Sequence, residues 1–415
     1  MEIDRLRYQT KAKKNKSSYR WLVFSFVFLL LAPSGWYIYS AFRKPLPALV
    51  FKENIKTPLS QTIGLTWPDY GQAAIGSAEE GVLAKSQAKE SPLPTASIAK
   101  VITALAVLQK KPMDPGTVGV LITLDQTDVN FYNQYAAQDG SVTAVVEGEQ
   151  ITEYQALEAM MLPSSNNMAD SMAFWAFGSI DAYLAYADTM IKSWGLPLTK
   201  VTDASGFSVA TGSTPSELVE IGRKVLENPI LSAIVAENMA SIPVAGDIRN
   251  TNIMLGNDNI VGIKTGHTEA AGGCMLFAAR HEIDSTHSIT IIGAVQGTRG
   301  QSDSFTISTR LLHESASGFA ARKLIKAGYE VGSYTTAWGS TAKIIARSDI
   351  VHYGWTGSNI KTAVKLSGMK APIDANKAMG TLHLYAGKKS YSTALVASSE
   401  VSAPSSSWRL LHYFR

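Results

Sequence analysis

Apolar positions are patterned differently in successive parts of this chain. From Trp21 to Phe42 they run on for 22 residues without a charge, between Arg20 and Arg43-Lys44, which is long enough for a helix to cross a bilayer. Pro33-Ser34-Gly35 interrupts the run, so a cleaved signal peptide, with Ala32-Pro33-Ser34 as its cleavage site, competes with a retained anchor. We expect the anchor, with Trp36, Tyr37 and Tyr39 at its outer interface. Residues 43–64 carry prolines and a mixed pattern, and read as a spacer.

From 65 to 326 helical and strand periods are interleaved. Small and β-branched residues over 71–83 predict a hairpin. Residues 97–109 have apolar side chains on nearly all sides, the pattern of a buried helix. The stretch 116–151 reads as short strands and loops. Thr152-Glu153-Tyr154-Gln155 then fits a capping box, with Leu157, Met160 and Met161 as the apolar face of its helix and Pro163 as its stop. Helical periodicity resumes over 168–177, 180–194 and 214–226, the last with Pro215 in the first turn. Strand-like runs at 259–268, 274–280 and 288–295 predict an antiparallel three-stranded unit, followed by a closing helix over 304–326. Beyond Gly328 short alternating runs predict a separate small β domain over 329–402 and a tail over 403–415, whose apolar part is too short to span a membrane. The fold class is α+β.

Charge sharpens this picture at the N-terminus. The net charge of +4 is concentrated in residues 1–20, which hold seven basic and two acidic side chains. The rest of the chain is close to neutral, so no nucleic-acid partner is expected. The same bias predicts a cytoplasmic N-terminal segment and an exported body. Cys274 is the single cysteine, which excludes an intramolecular disulfide, and its apolar setting predicts a small buried hydrophobe.

Three stretches carry candidate chemistry. In Ser97-Ile98-Ala99-Lys100 a hydroxyl and an amine three residues apart share a helix face. Burial and the positive end of the helix dipole both push Lys100 toward a neutral amine able to take a proton. The competing reading is a serine cap and a lysine reaching out to water. Ser164-Ser165-Asn166-Asn167 occupies a turn between two helices, where such residues also serve as caps. Lys264-Thr265-Gly266-His267-Thr268 reads as a strand carrying Lys264 outward near its end, with Gly266 allowing close approach to the backbone.

In this order S-x-x-K, S-x-N and K-T-G resemble the signature of penicillin-interacting serine enzymes. Over about 65–325 the chain is similar to the serine D-alanyl-D-alanine carboxypeptidases, the low-molecular-mass penicillin-binding proteins. Lys370-Ala371-Pro372-Ile373 and Met379-Gly380-Thr381-Leu382 extend the likeness into that family's C-terminal β domain. The resemblance implies a penicillin-binding-type domain, an antiparallel sheet with helices on its faces plus a helical subdomain. It implies that Ser97 attacks the bond between two D-alanines, Lys100 takes its proton, and Ser164 and Asn166 relay protons and position the amide. Lys264 stabilises charge near Ser164, Thr265 binds the terminal carboxylate, and the backbone N–H groups of Ser97 and His267 form the oxyanion hole. The family's carboxylate-binding arginine is expected near Ser304; Arg299 substitutes for it, or Thr265 and Thr268 act alone. No metal or organic cofactor is implied. The implied partners are peptidoglycan stem peptides, β-lactams as inhibitors, and the bacterial cell membrane through 21–42. A DD-endopeptidase or transpeptidase is the alternative on the same site. A class A β-lactamase is disfavoured by Ser165 in the middle motif and by the lack of a deacylating glutamate between Asn167 and Lys264. A non-catalytic β-lactam sensor is disfavoured by the short basic segment before the membrane.

Overall fold

The computed structural model describes residues 16–368 and 370–412, so most of the basic segment expected over 1–20 lies outside the described residues. A single helix, Lys16–Arg43, takes in the whole apolar run and continues through Pro33. Pro33 has no N–H to give the Leu29 carbonyl; one residue on, the Ser34 hydroxyl folds back to donate to the Leu30 carbonyl at 2.7 Å. Local hydroxyl bonds of this kind help apolar helices to tolerate proline. Within Tyr19–Arg43 an 18-residue window has a mean hydropathy of 1.8 and no buried residue, so the helix is long and apolar enough to cross a membrane.

A five-stranded antiparallel sheet positions the site. Its order is Ile260–Thr268, Gly272–Glu282, Ser288–Thr298, Gln72–Ser77, Gly81–Lys85, so the three-stranded unit read from the sequence is extended by the hairpin at 71–83. Successive side chains go to opposite faces. Leu276, Ala278, Ile292 and Ala294 join the core shared with the helices Lys100–Lys110 and Pro215–Glu227. Met275, Phe277, Ile291 and Val295 join a second core beneath the helix Gln301–Ala316. With both faces covered, the strands read as continuous apolar runs.

Helices Glu153–Met161, Asn166–Phe177 and Ile180–Ser193 pack around Lys100–Lys110. The capping box forms: Gln155 N–H donates to Thr152 Oγ1 at 3.2 Å, and Thr152 N–H donates to Gln155 Oε1 at 3.1 Å. One helix, Gln126–Ala136, stands where only strands and loops were expected. Its caps are aspartates: Thr127 N–H donates to Asp125 at 2.6 Å and Asp125 N–H to Asp128 at 2.8 Å. It buries only Tyr135, so no apolar period betrays it.

Three further expectations change. The closing helix stops at Ala316, and Phe319–Ile325 is a strand paired with Ile350–Trp355. Phe319, Leu324 and Ile325, which fall inside the span expected as helix, are strand residues. The β unit therefore begins before 329, and it also recruits the supposed spacer. Val50–Glu53 is the edge strand of a six-stranded sheet in the order Val50–Glu53, Glu330–Thr335, Thr341–Ala346, Lys389–Ala397, Ala378–Ala386, Ile360–Leu366. An edge strand this short needs backbone pairing and one anchor, here Phe51 on Tyr334 with ring centroids 5.4 Å apart. In the tail, the helix Ser406–Leu411 lies against the membrane-type helix: Tyr37 O–H donates to the Leu410 carbonyl, and Arg409 donates to the Phe42 carbonyl at 2.9 Å.

The β unit is pinned to the five-stranded sheet by Glu80, at the tip of the 71–83 hairpin. The Glu80 carboxylate accepts from Trp355 N–H at 3.1 Å and from Ser358 O–H at 3.4 Å, with Lys389 Nζ at 3.7 Å.

Candidate active site

Ser97 does not lie in the α-helix itself. It sits in a tight 3-10 turn, Ala96–Ala99, that feeds into Lys100–Lys110. Side chains three apart eclipse in such a turn, and Lys100 Nζ lies 2.8 Å from Ser97 Oγ. Ala96, just before the serine, has φ 47°, a left-handed value that is uncommon for a residue with a side chain and is found at sites the surroundings over-determine.

Ser97 is half-buried and Lys100 has no exposure. The Lys100 amine also lies 2.7 Å from Asn166 Oδ1 and 2.9 Å from the Ser205 carbonyl. A neutral amine has two N–H groups and one lone pair. Two oxygens that only accept take the N–H groups, and the lone pair is left facing the Ser97 hydroxyl. Electrostatics act in the same direction. Burial, and after it the nearby charge of Lys264, hold Lys100 well below the ordinary lysine value, while Asp203 and Asp170 pull it partly back. The reading of Lys100 as a lysine reaching to water is therefore set aside.

Ser164 and Asn166 come from the turn after Pro163. Ser164 is buried with φ 66°, a second left-handed residue at the site. Asn166 opens its helix and its N–H donates to the Ser141 carbonyl at 2.7 Å. Ser165 holds the cap position but makes no capping bond; its hydroxyl pairs with that of Thr143. The Asn167 side chain bonds the Thr143 N–H and carbonyl, each at 3.0 Å. The tetrad thus divides its work, with Ser165 and Asn167 tying down the turn while Asn166 reaches the lysine.

Lys264 corrects one expectation, since it points inward and is 2% exposed. It pairs with Leu276 across the sheet, and cross-strand partners share a face, here the helical one. Its Nζ lies 3.2 Å from the Thr265 carbonyl, and burial pushes its pKa down to about 7. Thr265 is buried beside Thr251, hydroxyl to hydroxyl at 2.8 Å. At Gly266 the edge strand crosses the serine turn so closely that a Cβ would lie 2.9 Å from the Thr95 carbonyl and 3.1 Å from Ser97 N. His267 is exposed, and the Thr268 hydroxyl accepts from Ala271 N–H at 3.1 Å.

Arg299 is not gathered in with these. It follows Ser288–Thr298, two strands across from Ile260–Thr268, and stacks 4.3 Å above the Tyr70 ring. Ser304 is buried, and its hydroxyl donates to the Gln301 carbonyl at 2.7 Å. Cys274 is buried with its thiol pushed up to about 11 by desolvation, as a packing residue.

Sequence reading passed over the turn at Asp203-Ala204-Ser205-Gly206. Gly206 has φ 75°, and a Cβ there would overlap the Ala96 carbonyl oxygen, so this turn lies directly against the one carrying Ser97. The Asp-x-Ser-Gly cluster was a turn signal available in the sequence.

Structural comparison defines the class. Penicillin-binding protein 5 from Haemophilus influenzae aligns over 82% of this chain and all of its own, at a TM-score of 0.58 and 18% identity. The fold is therefore that of the penicillin-binding proteins. The chain belongs to the D-alanyl-D-alanine carboxypeptidase family, peptidase S11, whose profile matches residues 72–295. Among its relatives is a D-alanyl-D-alanine endopeptidase of Escherichia coli, 27% identical over 44% of this chain, of whose length the chain spans 58%. Another is a D-alanyl-D-alanine carboxypeptidase of a Streptomyces species, 25% identical over 52% of this chain and 76% of the relative.

Proposed function

We propose that the protein is a serine D-alanyl-D-alanine carboxypeptidase held to the bacterial membrane by Lys16–Arg43, with its N-terminal segment cytoplasmic and its body outside. The observation that carries this reading is the fully buried Lys100 amine, 2.8 Å from the Ser97 hydroxyl and flanked by two oxygen acceptors. Ser97 attacks the carbonyl between two D-alanines while its proton passes to Lys100. The edge strand Ile260–Thr268 offers a free side along which a peptide can lie. The oxyanion sits between Ser97 and His267 N–H groups, which Gly266 allows to approach. The Lys100 proton passes through Ser164 to the leaving D-alanine. Thr265, backed by Thr251, receives the terminal carboxylate, and Lys264 offers it positive charge. Water then frees the enzyme. A β-lactam enters by the same first step and remains as the acyl-enzyme.

Endopeptidase cleavage of cross-links is the second reading. It is favoured by the position of Arg299, stacked on Tyr70 away from Thr265, which leaves the carboxylate subsite less strongly charged.

Full-length protein in detergent is expected to take one labelled penicillin at Ser97 and to release D-alanine from a diacyl-D-Ala-D-Ala peptide, and Ser97→Ala to lose both. Retention of either activity by Ser97→Ala defeats the assignment. Comparing a pentapeptide muropeptide with a cross-linked dimer separates the two readings.

A further inference from the structure

Beneath the Lys100 amine lies a second buried polar layer that the chemistry above leaves unused. Asp170 stands one helical turn beyond Asn166, on the same face, and is 7% exposed. Its Oδ2 accepts from the Tyr135 O–H at 2.8 Å, and that hydroxyl lies 3.3 Å from Ser205 Oγ. Ser205 Oγ donates to Asp203 at 2.8 Å, and the Ser205 carbonyl is the group 2.9 Å from Lys100 Nζ. Three elements distant in sequence, the helices Gln126–Ala136 and Asn166–Phe177 and the turn at 203–206, are thus knotted at the point where the base is held.

A buried carboxylate with one hydrogen bond is costly, and a proton taken up by Lys100 offsets that cost. Resting on the acyl-enzyme reading, we propose that Asp170 is a positioning residue. By accepting the Tyr135 O–H it holds that ring packed against the turn whose Ser205 carbonyl meets Lys100, and its carboxylate supplies the negative charge against which the lysine proton is held or released.

The other groups facing Lys100 are accounted for. Lys264, on the edge strand, opposes a second positive charge, and Asp203, on the turn, acts with Asp170. The phenols of Tyr135 and Tyr183 are raised by burial and stay neutral. Asp170 itself is pushed up to about 6, first by burial, so its charge is lost as the pH falls through that value. A carboxylate favours the ammonium; removing it lets the amine lose its proton at lower pH. Asp170→Asn keeps the shape and an acceptor for Tyr135 while removing the charge.

The test is the second-order rate of acylation of the full-length protein by a fluorescent penicillin across the pH range, in wild type, Asp170→Asn and Tyr135→Phe. Expected for Asp170→Asn is an acid limb moved to lower pH, so that at about pH 6 the rate relative to its own plateau is at least about threefold above wild type. An acid limb that stays in place or moves upward, whatever happens to the plateau, makes Asp170 a packing residue and overturns the proposal. If melting shows that Asp170→Asn has not folded, Tyr135→Phe decides on the same criterion, because losing its hydrogen bond makes the Asp170 carboxylate harder to ionise. Wild-type protein that takes no penicillin defeats the functional reading itself, a result distinct from an unmoved limb in an enzyme that acylates.

Discussion

Two lysines with almost no exposure in one site are a burden on the fold, and the burden depends on pH. Lys264 is pushed down to about 7 by burial, whereas an unfolded lysine titrates near 10.4. Between those values the unfolded chain binds a proton that the native protein lacks, so stability rises as the pH climbs from about 7 to about 10 and gains nothing below 7, where both states are protonated. Lys264→Met removes that share of the slope. Urea unfolding at pH 7 and pH 9.5 is expected to show the variant gaining stability over wild type at pH 7 and losing part of that advantage at 9.5. An equal difference at both pH values would contradict the buried-amine account. The meeting of Ser97 and Lys100 was legible in the sequence because a spacing of three puts both side chains on one face. The inward turn of Lys264 could not, because which face of a strand is covered depends on the partner strand and on the helices packed over it. Asp170 and Tyr135 carried no sequence signal either, since their meaning lies in meeting across two helices.

At the level of elements, the site is an assembly of close backbone crossings. The serine turn is clamped between the edge strand at Gly266 and the turn at Gly206, each at a distance that admits no side chain. Gly206→Ala requires a backbone with φ 75° to accept a Cβ and to move off the Ala96 carbonyl. Displacing the serine turn by about 1 Å is expected to lower acylation about 100-fold, beyond any loss of melting temperature. Unchanged labelling by penicillin in the folded variant would show that the turn at 203–206 does not set the position of Ser97. Elements with a strong period or a cap were legible: the helix after Thr152, the helix from Pro215 and the sheet strands all lie close to where the pattern puts them. The helix Gln126–Ala136 was not, because it turns one buried side chain inward and so shows no apolar period, although Asp125 and Asp128 offered a cap signal. The strand Phe319–Ile325 was misread because a short apolar run after a helix keeps the helical spacing by coincidence.

Over the whole molecule, the chain leaves the membrane-type helix and becomes the edge strand Val50–Glu53 of the distal sheet before it enters the five-stranded one. No local pattern signals this, since four residues without clear alternation acquire meaning only from Glu330–Thr335 beside them. A chain beginning at residue 65 loses that strand, bares the Tyr334 face and leaves an unpaired edge. Compared with one beginning at residue 44, it is expected to melt several degrees lower, on the order of 1–2 kcal/mol less stable, and to aggregate on concentration. Equal melting temperatures would count Val50–Glu53 as a passive linker.

The contact between Ser406–Leu411 and the end of the membrane-type helix has a mechanical consequence. An enzyme on one flexible stalk sweeps a dome above the bilayer and meets substrate at every height. On the proposed anchored reading, a second foothold beside the first and the Glu80 joint above it would restrict swivel and hold Ser97 at a set height. On that reading the active serine would meet substrate at one distance from the bilayer, and lengthening the span between them would shift that distance.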